Sequence, residues 1–281
     1  MVLTAVQPFP YTEIKMKIIF SKYHHNGNDF IIFDTIKNPD LTYAQAKEWS
    51  KKHCIRKYGV GADNALYLAC THDSIFMHIF NITDIDGDMC GNGSLCVAKY
   101  LHDTMDLCDA ILSTKSRAIV THKLDNGYTA SIGHVKPCPG LGHKYSGVLK
   151  QILKNHAGNQ DYYIVHAGEP HLVVPVNDSS IVDLKKLGDA IHSQAIFPMG
   201  INVDIMHKVD DATIAARFYE RSCFDETQAC GTGSACCAHV ADLKGPITIK
   251  HKNGTTSVAH DNTGYQLIGN PVKIYDGVYD G

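Results

Sequence analysis

The chain has no apolar run near the ~20 residues needed to cross a bilayer. Its first fifteen residues, MVLTAVQPFPYTEIK, have neither the cationic start nor the long apolar stretch of a secretory leader. No block of basic residues is interleaved with aromatics, and the net charge is −3 with histidines neutral. Nothing therefore calls for nucleic acid or a membrane surface as a partner. Low-complexity tracts and flexible linkers are also missing. The expected setting is cytoplasmic and reducing, where the ten cysteines are thiols and not a disulfide framework. By default each is a small buried hydrophobe, and that reading is applied to Cys54, Cys70, Cys108 and Cys138. At 281 residues the chain has room for two domains of ordinary composition, 44% hydrophobic and 20% charged.

One stretch occurs twice. CGNGSLCVA runs from Cys90 to Ala98 and CGTGSACCA from Cys230 to Ala238, agreeing at six of nine positions and lying 140 residues apart. Such spacing predicts two halves built alike, each presenting one leading cysteine.

The surrounding pattern agrees. Residues 1–16 carry Pro8 and Pro10 and fit no element, and are read as an extension. Ile18–Ser21 and Phe30–Asp34 read as strands joined by a polar turn in which Gly27 is the permissive residue. Thr42 with Gln45 forms a capping-box pattern for a helix to about His53. YGVGADN, residues 58–64, is a glycine-punctuated loop before a strand over 65–69, and the alternation in SIFMHIFN gives another strand over 74–81. Cys90–Gly93 form a helix entrance, with Ser94–His102 helical. A strand meander covers 110–135, turning at Asp125–Gly127, and Pro137, Pro139, Gly140 and Gly142 mark a junction. Strands then read over 162–166 and 172–176, a helix over 182–193, and strands over 202–206 and 213–219. The last two strands lie in TGYQLIGNPVKIYDGVY. Strand, loop, cysteine and helix thus recur, which makes the fold class α+β with two similar sheets, each packing on its own helix.

A cysteine at a helix entrance meets unsatisfied N–H groups and the positive end of the dipole, both of which favour thiolate. The following glycines let a ligand approach the backbone, so the same groups can hold a carboxylate. A phosphate loop is disfavoured because no lysine follows the glycines. The cysteines within each copy are six residues apart, too wide for a metal knuckle. Two thiols on opposite sides of one carbon would instead remove a proton from one face and return it to the other. The plainer alternative is that both cysteines only pack a junction of strand and helix, and it is the reading preferred for Cys96 and Cys236, inside their helices.

At these residues the chain resembles the diaminopimelate epimerases, enzymes of lysine and peptidoglycan-precursor synthesis that interconvert LL- and meso-diaminopimelate through two cysteines without pyridoxal phosphate. The resemblance runs from Lys17 onward through FSKYHHNGNDF, YGVGADN, FNITDIDGDMCGNGSLC, GEPHLVV, GINVDIM, YERSCFDETQACGTGSAC and IYDGVY. It implies two pseudo-symmetric domains, each a curved, mostly antiparallel sheet wrapped around a central helix. The expected boundaries are 17–135 plus 271–281 for the half carrying Cys90, and 136–270 for the half carrying Cys230. It also implies catalytic roles for Cys90 and Cys230, acid–base support from His171 and Glu220, and substrate contacts from Asn28, Asn64, Asn81, Gly91, Asn92, Glu169, Asn202, Arg221, Gly231 and Thr232. No cofactor and no metal are expected. The expected ligand is a small amino acid, and the one macromolecular partner allowed for is a second copy of the chain.

Several positions depart from the family pattern. His25 stands where a glycine is usual, Asn64 where a glutamine is, and Glu169 where an asparagine is. The segment between Arg221 and Cys230, SCFDETQA, is one residue longer than the usual GAGETQA. Glu169 bears on the far end of the substrate, where it would attract an ammonium and repel a carboxylate. A racemase or epimerase for another amino acid, and a non-catalytic binding or redox-sensing relative, are the alternatives these departures raise.

Overall fold

The computed structural model describes residues 17–80, 87, 89–138, 146–158, 160–194 and 196–280. The first half contains β1 (Lys17–His25), β2 (Asn28–Asp34), α1 (Tyr43–His53), β3 (Asn64–Cys70) and β4 (Ile75–Phe80). It continues with α2 (Gly91–Met105), β5 (Asp109–Ser113), β6 (Ala118–Leu124) and β7 (Gly127–Gly133). The second contains β8 (Lys136–Pro137), α3 (Ser146–Ala157), β9 (Tyr163–His166), β10 (Pro170–Pro175), α4 (Leu184–Ser193) and β11 (Asn202–Asp210). After these come β12 (Thr213–Glu220), β13 (Asp225–Thr227), α5 (Gly231–Ala241), β14 (Ile247–His251), β15 (Gly254–Asp261) and β16 (Gly264–Gly269), and β17 (Val272–Asp280) then returns to the sheet of the first half.

The strand pairings repeat. In the first half β2 lies parallel to β3 across α1, and β4 parallel to β5 across α2. In the second half β10 lies parallel to β11 across α4, and β12 parallel to β14 across α5. The remaining neighbours within each half are antiparallel. Antiparallel pairing of β7 with β16 joins the two sheets. The connections cross over in matched fashion: β8, which follows β7, pairs with β9, and β17, which follows β16, pairs with β1. The fold is therefore α+β with two halves of one design.

Local chemistry explains the elements. The β1–β2 turn is tighter than the expected Tyr23–Asp29 span, because Asn26 and Gly27 take φ of 52° and 86° and close a two-residue hairpin. The Thr42 capping box forms, with the Thr42 N–H donating to Gln45 Oε1 at 3.0 Å and the Gln45 N–H to Thr42 Oγ1 at 3.4 Å. Both inner helices end on an aspartate in the left-handed region, Asp106 and Asp242. In α5 almost every residue is small and buried, as expected of a helix enclosed by a sheet.

One core surrounds α2 and α5 together and includes Leu66, Leu95, Ile132, Phe218 and Leu267. A second lies between α3, α4 and the outer face of β10–β12, and a third between α1 and the outer face of β2 and β3. Helix α3 was not expected. Its apolar positions Val148, Leu149, Ile152 and Leu153 carry a helical period that the preceding prolines and glycines obscured, and Leu149 and Leu153 are buried. The junction residues Pro139, Gly140 and Gly142 lie outside the described residues. Cys96 and Cys236 are buried in the core as packing residues, whereas Cys108 is exposed and not the small buried hydrophobe expected of it.

Candidate active site

Each repeated stretch forms the entrance to an inner helix. Cys90 is the N-cap of α2 and Cys230 the N-cap of α5, both in extended conformation. Each sulfur accepts the N–H two residues beyond the following glycine or its counterpart: Gly93 to Cys90 Sγ at 3.3 Å, and Gly233 to Cys230 Sγ at 3.4 Å. The helices thus begin at Gly91 and Gly231, three residues before the expected start at Ser94 in the first copy.

The two entrances meet end to end. A Cβ on Gly91 would lie 3.3 Å from the Gly231 Cα, and one on Gly231 would lie 3.0 Å from the Gly91 Cα and 3.3 Å from the Asn92 nitrogen. Glycine is needed at both positions because any side chain would hold the helix ends apart. Among the described residues, the N–H groups of Gly91, Asn92, Gly231 and Thr232 donate no hydrogen bond. Two positive helix ends with four unused donors thus face one another, an arrangement completed by an anion.

Asn92 ties the entrances together. Its amide donates to the Ala229 carbonyl at 3.1 Å and to Asn28 Oδ1 at 3.2 Å, while its own oxygen lies 3.0 Å from His25 Nδ1. Asn28 in turn donates to Asp63 at 2.8 Å. His25, the departure from the family glycine, is buried, and a Cβ on Gly269 would clash with its ring. The space for the larger side chain is left by a glycine on β16. Asn64 begins β3 opposite Phe30, half-buried. Asn81 lies outside the described residues.

Around Cys230 the side chains are charged. Thr232 Oγ1 is 3.4 Å from Cys230 Sγ and 3.0 Å from His171 Nε2, and His171 Nδ1 is 2.8 Å from Asp204 Oδ2. Asn202 donates to Glu169 Oε2 at 3.0 Å and accepts the Arg221 N–H at 3.0 Å. The Arg221 Nε lies 3.9 Å from Glu169 Oε2, with Nη1 donating to the Met199 carbonyl at 2.9 Å. Glu220, at the end of β12, accepts from Thr227 at 2.6 Å.

Electrostatics corrects one expectation. The helix entrance does favour thiolate, but burial outweighs it and pushes Cys90 up to about 12, against the Gly93 N–H, with Glu220, Glu169 and Asp63 adding. Cys230 is pushed well up by burial, with Glu220 and Asp204 adding and Thr232 and Gly233 opposing. In the ligand-free chain both groups are therefore thiols. Burial also lifts Glu220 to about 7, against its Thr227 hydrogen bond and with Glu169 adding. For His171 burial pulls down, but Asp204, Glu169 and Glu220 together hold the imidazole above its ordinary value.

Sequence reasoning did not single out Asp204 or Thr227. The available signal for Asp204 was an acidic residue two places after Asn202 in the mostly apolar run INVDIM. A surface groove of about 370 Å³, lined by Arg117, His122, Ser131, Asp261 and others, contains none of these site residues. No helix among the described residues is long and apolar enough to cross a membrane.

Comparison with solved structures defines the class. The fold matches a PhzF-family phenazine biosynthesis protein of Bacillus anthracis with a TM-score of 0.66 and 16% identity, covering 94% of this chain and 99% of that one. It also matches a hydroxyproline epimerase of Agrobacterium vitis with a TM-score of 0.67 and 11% identity, covering 95% of this chain and 93% of that one. The fold is thus that of the PhzF, diaminopimelate epimerase and proline racemase group.

Sequence comparison narrows this. The diaminopimelate epimerase family model matches residues 20–127 and 163–274. Proteins named diaminopimelate epimerase from Methanocella arvoryzae and Bacteroides thetaiotaomicron are each 32% identical, over 94% of this chain and 97% and 99% of theirs. The chain belongs to the diaminopimelate epimerase family and is an isomerase of the epimerase type.

Proposed function

We propose that the protein interconverts LL- and meso-diaminopimelate by a two-base mechanism in which Cys90 and Cys230 are the acid and base. The observation that carries this reading is the end-to-end meeting of the two helix entrances, each capped by one of the cysteines. A substrate carboxylate held by the N–H groups of Gly91, Asn92, Gly231 and Thr232 would lie between the sulfurs, with its Cα accessible to one thiol on each face. Negative charge that develops on this carboxylate as the Cα proton leaves is stabilised where donors and helix dipoles already point. One thiol must first lose its proton. Glu220, lifted to about 7, and His171, held above its ordinary value by the surrounding carboxylates, are suited to exchange it.

The far end of the substrate bears an ammonium and a carboxylate. Arg221 and Glu169, 3.9 Å apart and both fixed by Asn202, offer one group of each sign. Glu169 suits the ammonium and Arg221 the carboxylate. This pair supports diaminopimelate over an amino acid with a single terminal charge. A substrate with a purely cationic end is the second reading, favoured by the acidic side chain at position 169.

Incubation with LL-diaminopimelate in D₂O tests the assignment. The expected result is meso product with deuterium at one Cα. Exchange into a different amino acid and none into diaminopimelate would overturn the substrate, and exchange into none would overturn the enzyme assignment.

A further inference from the structure

The two halves can be aligned by strand register. In the parallel pairs Phe30 faces Asn64 and His171 faces Asn202, so Asn64 corresponds to Asn202 and Phe30 to His171. Two residues further along these strands, Leu66 corresponds to Asp204. Packing under the helices agrees: a Cβ on Gly93 would lie 3.2 Å from Leu66 Cδ1, and one on Gly233 would lie 3.2 Å from Asp204 Oδ2. Cys90 and Asn92 likewise correspond to Cys230 and Thr232. One half therefore supports its cysteine with Phe30 and Leu66, and the other with His171 and Asp204 at the same places.

Packing does not call for an acid at position 204, because a leucine fills the matching place in the first half. The acid is also poorly satisfied. Asp204 is fully buried, and among the described residues its Oδ1 has no hydrogen-bond partner, a condition that costs stability. Its Oδ2 is directed at His171 Nδ1. That contact fixes the imidazole tautomer with the proton on Nδ1 and leaves the Nε2 lone pair to the Thr232 hydroxyl at 3.0 Å, with the Asn202 amide further away at 3.4 Å.

We propose that Asp204, His171 and Thr232 form a buried relay that takes the proton from Cys230 and returns it, with Asp204 as its positioning residue. The inference rests on the reading of Cys230 as an acid–base thiol. The Cys230 S–H bond breaks as its proton moves to Thr232 Oγ1, while the Thr232 hydroxyl proton moves to His171 Nε2. The net change is one proton from sulfur to imidazole, leaving a thiolate and an imidazolium whose Nδ1–H remains on Asp204. Reversal restores all partners. Among the described residues Cys90 has no such chain, so the pseudo-symmetric halves are chemically unequal there.

The test needs no substrate, so it stands apart from the identity of the amino acid. Alkylation by iodoacetamide at fixed pH is followed at each cysteine by peptide mass spectrometry in the full-length chain. The relay predicts that Asp204→Asn slows Cys230 about tenfold, the change in thiolate population for one unit of pKa, with Cys90 unaffected. Simple Coulomb repulsion predicts the opposite sign, because Asp204 by itself disfavours the nearby thiolate. A faster or unchanged Cys230 would overturn the proposal, as would equal slowing at both cysteines. Asp204→Leu, which copies the first half, should slow Cys230 as Asp204→Asn does. Thr232→Val should slow Cys230 and Thr232→Ser should restore it. If the Asp204 variants fail to fold, this pair decides alone, and equal rates in the two would overturn the relay.

Discussion

A single methyl group placed on Gly91 tests whether the meeting of the helix ends governs both stability and chemistry. The new Cβ in Gly91→Ala would lie 2.6 Å from Leu267 Cδ1, 3.1 Å from Ile132 Cδ1 and 3.3 Å from the Gly231 Cα. Leu267 can rotate to relieve the first contact, but the third is backbone and yields only if the helices separate. Overpacking of this kind costs about 1–3 kcal/mol, which urea unfolding will detect as a lower midpoint at unchanged slope. Separation also moves both sulfurs off a shared carbon, and misplacement of about 1 Å can cost ~100-fold in rate. Gly231→Ala should behave alike, with contacts of 2.7 Å to Leu267 and 3.0 Å to Gly91. Because both substitutions strain one contact, the double variant should depart from additivity by about 0.5–3 kcal/mol. Wild-type stability and turnover in Gly91→Ala would refute the argument, and strict additivity would show that the two glycines are tight for separate reasons.

Other outcomes follow from the same geometry. Cys90→Ala and Cys230→Ala should each abolish epimerisation while keeping a cooperative thermal transition, and full turnover in either would leave the cysteines as packing residues. Glu220→Gln should change the pH dependence of stability. The folded chain holds the Glu220 proton up to about 7, whereas the unfolded chain loses it near ~4.3. This contribution is therefore complete below the lower value and is lost as pH rises through the upper one, by a few kcal/mol at about 1.4 per pKa unit. Urea midpoints between these pH values should decline in the wild type and flatten in Glu220→Gln, and parallel curves would count against the shift. Asn92→Ala should weaken substrate binding more than it lowers the melting temperature, since its amide links the α2 entrance to Ala229 and Asn28. A change in Tm alone, with KM unaltered, would contradict that.

The legible parts of the sequence were those where function and local structure use the same residues. CGNGS and CGTGS give a glycine-rich helix entrance by local rules, and their duplication reveals the two-fold design. The Thr42 capping box and the strand alternation around Met77 were equally local. Helix α3 was hidden because prolines and glycines just before it suggested a loop, although its leucines carry the period. The short β13 and the pair β14–β15 were not anticipated: β13 and the β14–β15 hairpin fold back on adjacent chain, but β14 is placed in the sheet only by its parallel pairing with β12, 35 residues earlier. The state of the cysteines was misread for a related reason. A helix dipole can be read from a motif, but the burial that outweighs it comes from the whole fold. Glu169 was legible as an anomaly and Arg221 as a charge that could pair with it, while Asn202 became the neighbour of both only through the β10–β11 and β11–β12 pairings.

Duplication alone would produce a site with two equal thiols, suited to substrates whose two configurations are mirror images. The proposed substrate, diaminopimelate, is different, because its far centre would be unchanged by the reaction and makes the LL and meso forms diastereomers. Glu169, Asn202 and Arg221, proposed to hold the far end, all come from the second half, as does the chain from Asp204 to Thr232. A pocket that holds one end of its ligand from one side has no reason to keep its two faces alike. The leucine and phenylalanine under α2 and the aspartate and histidine under α5 are then parts of one asymmetry. It follows that Asp204→Asn should slow the direction in which Cys230 acts as base more than the reverse in pre-steady-state proton exchange, even though the overall equilibrium cannot change. Equal slowing in both directions would mean that the relay recharges the free enzyme between turnovers instead of acting while substrate is bound.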